Sequence, residues 1–212
     1  PGDAAYFLCA NRGKKSVTLD IAQPEGAEIA RRLAETCDVV VENFKTGGLK
    51  KYGLDFASLA AINPRLVYCS ITGFGQDGPY ASRAGYDYMI QAMGGLMSVT
   101  GQPDGSPGAE PMKVGVAVAD LFTGMYASNA ILAALLHARA TGEGQHIDLA
   151  LFDVQAAMLA NQATNWFVSG VAPGRMGNAH PNLAPYQPFA CSDGMVVIAV
   201  GNDGQFRALC GA

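Results

Sequence analysis

Charge is scarce in this sequence. Of its 212 residues only 15% are Asp, Glu, Lys or Arg, while half are hydrophobic. So little charge is unusual for a domain standing alone in water, and it predicts that part of the surface is covered by other protein. There is no basic run, and the net charge is −4, which argues against nucleic acid as a partner. Five cysteines, Cys9, Cys37, Cys69, Cys191 and Cys210, are scattered, odd in number and without a CxxC pair. That excludes a disulfide framework and points to a reducing, cytoplasmic setting. His137, His146 and His180 lack the spacing of a metal site, so no metal ligand is assigned. GxSxG does not occur, which removes the nucleophile elbow. The start, PGDAAYFLCANRGKK, has no basic stretch leading into a sustained apolar core, so it does not read as a secretory leader. It also lacks an initiator Met, and the end, FRALCGA, stops just after a helix begins. The expectation is a chain incomplete at both ends.

What the sequence does have is one long apolar stretch, residues 114–138 (VGVAVADLFTGMYASNAILAALLHA). Strand and turn signals are absent from it, so it predicts a long buried helix from near Val118. It is long enough to cross a bilayer. However, Asp120 would cost about 2.5–3.5 kcal/mol near the middle of a span, and Gly124, Ser128 and Asn129 dilute the run. A core helix is the better reading, with Gly124, Ala127 and Ala130 letting other elements pack closely. Asp120 is the one charge before His137 and Arg139. It falls in the first turn, where it either caps the helix or serves as a carboxylate nucleophile or base in an apolar cleft.

The rest reads as alternating strand and helix. Residues 15–20 (KSVTLD) alternate like a strand. Pro24 opens a helix at its first turn. Residues 38–42 (DVVVE) resemble a parallel strand buried on both faces. A short LKKYG turn follows, then a helix capped by Asp55 and ended before Pro64. Residues 66–71 (LVYCSI) are a third strand. This order predicts an α/β, Rossmann-like, mostly parallel sheet with flanking helices. A turn-rich loop at 74–85 sits where open α/β sheets carry ligand groups. A helix from Tyr86 breaks at Gly94-Gly95, and 100–111 is a second Gly/Pro-rich loop. Residues 146–149 are a strand, 151–168 one apolar helix, 172–189 an aperiodic loop, and 194–200 a final strand.

Asn43 and Phe44 sit at the carboxyl end of a strand. They are either turn residues or a binding edge with an amide and an aromatic face. Asp87 is either a helix cap or a second acid facing Asp120. Lys45, Lys50, Lys51 and Arg83 are candidate phosphate contacts or plain surface cations.

Four segments, NRGKKSVTLD, DVVVENFKTGGLKKYGLD, LVYCSITGFGQDGPYASRAGYDYMIQAMGG and VGVAVADLFTGMYASNAILAALLHARATGEGQHIDLALFD, resemble the family III CoA-transferases, in order and over essentially the whole chain. That family includes formyl-CoA and carnitine CoA-transferases and the related alpha-methylacyl-CoA racemases. The resemblance implies a fragment of a longer protein. Residues 1–200 would be a CoA-binding large domain without its first strand, and 201–212 the start of a second, truncated domain. It further implies an interlocked homodimer, an acyl-CoA donor and a carboxylic acid acceptor, with the CoA thioester as substrate and no permanently bound cofactor. Neither a membrane nor nucleic acid is implied as a partner.

Position by position, Asp120 matches the catalytic aspartate, and Asp87 an acid beside it. Leu19, Asn43, Phe44, Gly48 and Tyr86 match residues of the CoA site. Lys51 stands where a basic residue meets the CoA phosphates, and Leu151 near the same pocket. Ala84 replaces a lysine of formyl-CoA transferases, with Arg83 beside it. Racemases carry His-Asp where this chain has Tyr86-Asp87. The implied activity is transfer of CoA between carboxylic acids through an aspartyl mixed anhydride and an aspartyl-CoA thioester. The alternatives are a 2-methylacyl-CoA racemase and a CoA-binding fragment without turnover. Backbone N–H groups near residues 174–182 are candidate oxyanion donors.

Overall fold

The computed structural model describes residues 2–212. A short helix, α1 (Ala5–Ala10), precedes residues 15–20. Those six residues carry no regular secondary structure and pair with no strand among the described residues, contrary to the strand expected there. Their end is held against the next helix instead. The Asp20 carboxylate accepts the Ala22 N–H at 3.0 Å. Gly26 lets the Asp20 carbonyl come so close that a Cβ would lie 1.9 Å from its oxygen.

Helix α2 (Pro24–Thr36) begins on its proline as expected. Strand β1 (Val39–Glu42) follows, then a 3-10 turn (Lys50–Tyr52) closed by Gly53 at φ 64°, helix α3 (Phe56–Ile62) and strand β2 (Val67–Thr72). The carboxylate of Asp55 precedes α3 but accepts the Ser58 hydroxyl at 2.6 Å rather than a backbone cap bond. Next come α4 (Asp87–Met93), α5 (Val118–Thr141) and β3 (His146–Ala150).

β1, β2 and β3 form one parallel sheet in that order, which is the predicted α/β arrangement. β2 is central, and Val67, Tyr68, Cys69 and Ser70 are all but inaccessible. One face packs on Ala34 of α2 and on Leu49, Leu54 and Leu59; the other packs on Ala134 and Ala138 of α5. β1 lies at an edge, and Val41 is 56% exposed, so it is not buried on both faces.

α5 has the predicted start but not the predicted burial. Its buried positions, Ala119, Thr123, Ala127, Ala134 and Ala138, are small and recur at helical spacing against β2, β3 and its helical neighbours. Leu121, Met125, Leu132 and Leu136 face out, and Gly124 touches nothing. α5 is long and apolar enough by length and composition to cross a membrane.

The helix expected over 151–168 is two, α6 (Leu151–Met158) and α7 (Ala160–Ser169), broken where Ala160 takes a φ of 44°. The expected aperiodic loop ends in a strand, β4 (Tyr186–Ala190). It pairs antiparallel with β5 (Met195–Ala199) in a separate two-stranded sheet, followed by α8 (Asp203–Cys210).

Candidate active site

The carboxyl ends of β1 and β2 turn into loops that their own polar side chains fix. The Asn43 amide donates to the Ile71 carbonyl, tying the two strand ends together. Glu42 accepts the Phe44 N–H at 2.7 Å. The Thr72 hydroxyl accepts the Gly75 N–H at 2.9 Å, starting the 74–85 loop. That loop closes on itself where Gly73 and Gly85 touch. A Cβ on Gly85 would meet the Gly73 Cα at 2.3 Å, so neither position admits a side chain. The Thr46 hydroxyl donates to the Ala81 carbonyl at 3.1 Å and holds the loop over the end of β1.

These contacts enclose a cavity of about 420 Å³ whose lining includes Asn43, Phe44, Lys45, Thr46, Arg83 and Tyr86. It lies at the strand ends where open α/β sheets bind ligands. Phe44 and Tyr86 are 51% and 73% exposed, so both present free ring faces. The Arg83 guanidinium lies 4.3 Å over the Tyr80 ring, which holds it at the cavity wall beside Ala84.

Tyr86 connects this cavity to the aspartates, because it is the residue before α4. Asp87 Oδ1 accepts the backbone N–H of Ala119 at 2.8 Å and, more weakly, that of Asp120 at 3.5 Å. The cap on α5 is therefore Asp87. Asp120 itself makes no side-chain cap, so the capping reading of its position does not hold. Its side chain belongs to an exposed residue, yet the part of the carboxylate that is buried pushes its pKa up, and the negative charge of Asp87 adds to that. It is a carboxylate in the first turn of a helix, with no salt-bridge partner among the described residues.

The remaining residues carried over from the resemblance are dispersed. Gly48 lines a neighbouring cavity of about 290 Å³ with Lys45, Lys50, Tyr68, Ser70 and His146. Lys51 lies 4.7 Å over the Tyr52 ring. Leu19 is half-buried in the unpaired segment before α2. Leu151 is buried with Ile90 and Ala119, behind the first turn of α5. His146 is structural: it shares a hydrogen bond of 2.9 Å with Ser70 and stacks on Phe56. Among the described residues no group of His, Cys, Asp or Glu is arranged to hold a metal ion.

The 172–185 loop is pinned rather than free. Arg175 pairs with Asp104 and donates to the Gln102 carbonyl, and the Gly177 N–H donates to the Gly101 carbonyl at 2.9 Å. The Ala179, His180 and Asn182 amides also donate within the protein. Four of the N–H groups expected as oxyanion donors are thus engaged elsewhere. Sequence reasoning passed over Thr46, Thr72 and Gln91. The first two had a signal, since Thr72 is a hydroxyl residue at the end of β2 and Thr46 one in the turn after β1, where turns need side-chain acceptors and donors.

A parallel α/β sheet with a cavity at its carboxyl edge defines an α/β domain of the ligand-binding kind. Residues 1–212 match the family described as CoA-transferase family III, and the chain belongs to that family. It is 61% identical over 207 residues to a succinate–glutarate CoA-transferase of Agrobacterium fabrum, covering 98% of this chain and 51% of that protein. It is 42% identical over 208 residues to the human succinyl-CoA:glutarate CoA-transferase, covering 98% of this chain and 47% of that protein. A solved CAIB/BAIF family protein from Brucella suis superposes with a TM-score of 0.85 at 61% identity, over 98% of this chain and 54% of its own. The chain spans about half the length of the relatives it matches.

Proposed function

We propose that this chain forms the CoA-binding part of an acyl-CoA transferase that moves CoA between dicarboxylic acids, with Asp120 as nucleophile. The observation that carries the reading is Asp120 itself, a carboxylate without an ion-pair partner in the capped first turn of α5, one residue from a backbone N–H held by Asp87. The Asp120 carboxylate attacks the thioester carbonyl and expels the CoA thiolate, forming a mixed anhydride. The thiolate then attacks the aspartyl carbonyl, giving an aspartyl-CoA thioester and releasing the donor acid. The acceptor carboxylate attacks that thioester and the two steps run in reverse, returning Asp120 as a carboxylate. The names of the relatives favour succinyl-CoA as donor and glutarate as acceptor. Tyr86 stands where the racemases carry histidine, which speaks against α-proton transfer.

In this reading Asn43, Phe44 and Tyr86 receive CoA at the strand ends, with Gly48, Leu19 and Leu151 around them and Arg83 or Lys51 on its phosphates. Residues 1–200 are the CoA-binding domain and 201–212 begin a second. The protein works as a homodimer in the cytoplasm, where its free cysteines fit a reducing milieu. The test is Asp120→Asn in the intact protein. Transfer from succinyl-CoA to glutarate should be lost while CoA still binds. Wild-type turnover by that variant ends the assignment.

A further inference from the structure

Gln91 is fully buried on α4, one turn after Asp87. Both ends of its amide are used. Its Nε2 donates to Asp87 Oδ2 at 2.7 Å, and its Oε1 accepts the backbone N–H of Val114 at 2.9 Å. The other Asp87 oxygen accepts the Ala119 N–H. The segment that leads into α5 is therefore held at two points, 114 and 119, by neighbouring side chains of one helical turn. α5 offers nothing of its own for this, since Ala117 at its N-cap has no side-chain acceptor. Gly115, between the two anchors, touches nothing that a Cβ would meet.

We propose that Asp87 and Gln91 act as one positioning unit, which fixes through the backbone at Val114 and Ala119 the direction in which α5 presents Asp120. The proposal rests on the reading of Asp120 as nucleophile. The unit has a single polarity. Backbone N–H groups can only donate, so Asp87 must accept, and Gln91 must accept at one end and donate at the other. Asp87→Asn breaks this. If the new amide accepts from Ala119, its NH₂ faces the NH₂ of Gln91, and turning Gln91 over only moves the conflict to Val114. Gln91→Glu sets two carboxylates against each other. The double variant Asp87→Asn/Gln91→Glu restores every pairing: the amide at 87 accepts from Ala119 and donates to the carboxylate at 91, which accepts from Val114. Net charge is then the same as in the wild type.

The experiment measures kcat and KM for succinyl-CoA and glutarate, CoA binding by calorimetry, and backbone amide exchange at Val114 and Ala119, all on the intact protein. Each single variant should lower kcat on the order of 100-fold, the scale of a misplaced reacting group, with CoA affinity unchanged and faster exchange at both amides. The double variant should regain most of the lost kcat and the slow exchange. Gln91→Met keeps the packed volume while removing both bonds, so it carries the test if a charged variant fails to fold. Wild-type kcat in Gln91→Met, or a double variant no better than the worse single one, overturns the proposal. Failure of the underlying reading looks different, because then Asp120→Asn itself turns over. An inactive Asp120→Asn beside fully active Asp87→Asn and Gln91→Met sinks the positioning unit alone.

Discussion

Asp120 carries a carboxylate that its surroundings press toward neutrality. Partial burial comes first and the charge of Asp87 second; both raise its pKa. A protonated carboxyl is no nucleophile, so under the proposed mechanism the acid limb of activity should lie above the ordinary aspartate range. The same shift acts on stability. A carboxyl with a raised folded-state pKa binds its proton more tightly in the folded state. Stability therefore falls as pH rises from the unfolded value of about 3.9 through the raised folded value, and the full cost is present above it. Asp120→Asn removes that cost. The variant should show a higher urea midpoint than the wild type at neutral pH, with the gain vanishing below the ordinary carboxylate pKa. Urea titrations at a series of pH values check this, and equal midpoints at pH 7 contradict it. Asp120 is legible in the sequence because it is the lone charge in a long apolar run. Gln91 is not. Its partners include a backbone N–H 23 residues away, and nothing in composition or periodicity marks a glutamine as buried.

Among the elements, those with a local cause are the legible ones. The start of α2 follows from Pro24, the break after α4 from Gly94-Gly95, and the length of α5 from its uninterrupted apolar run. Three elements depend on distant partners and read wrongly. Residues 15–20 alternate like a strand but pair with no strand among the described residues. β4 has little alternation, and only its register with β5 makes it a strand. The break between α6 and α7 falls at an alanine, where sequence carries no breaker signal. That alanine, Ala160, sits at φ 44°, a region where a Cβ crowds the following carbonyl at roughly 1–2 kcal/mol. Glycine has no such crowding but loses more chain entropy on folding. Ala160→Gly should therefore stabilise the protein by about 1 kcal/mol, read as a higher urea midpoint at constant slope. A lower midpoint means that the packing of the Ala160 methyl outweighs the strain.

At the scale of the whole molecule, the low charge content and the geometry of α5 point the same way. At about 100° per residue, Leu121, Met125, Leu132 and Leu136 fall on a single stripe, opposite the small buried residues that face the sheet. They are 58%, 65%, 60% and 68% exposed. Four large apolar side chains in a row are more than a monomeric surface ordinarily leaves bare, and α5 is also the element that carries Asp120. If a second subunit covers this stripe, the proposed dimer interface and the helix of the proposed nucleophile are the same piece of structure, and losing one disturbs the other. Leu132→Glu with Leu136→Glu places two charges on the stripe about three to four turns beyond Asp120 while leaving the sheet-facing alanines untouched. In the intact protein the pair of substitutions should convert the proposed dimer to monomer in light-scattering chromatography at micromolar concentration. The folded far-UV spectrum should remain, with loss of transfer activity following the loss of dimer. A variant that stays dimeric and active removes this stripe from the subunit interface and assigns its cover to other segments of the same polypeptide.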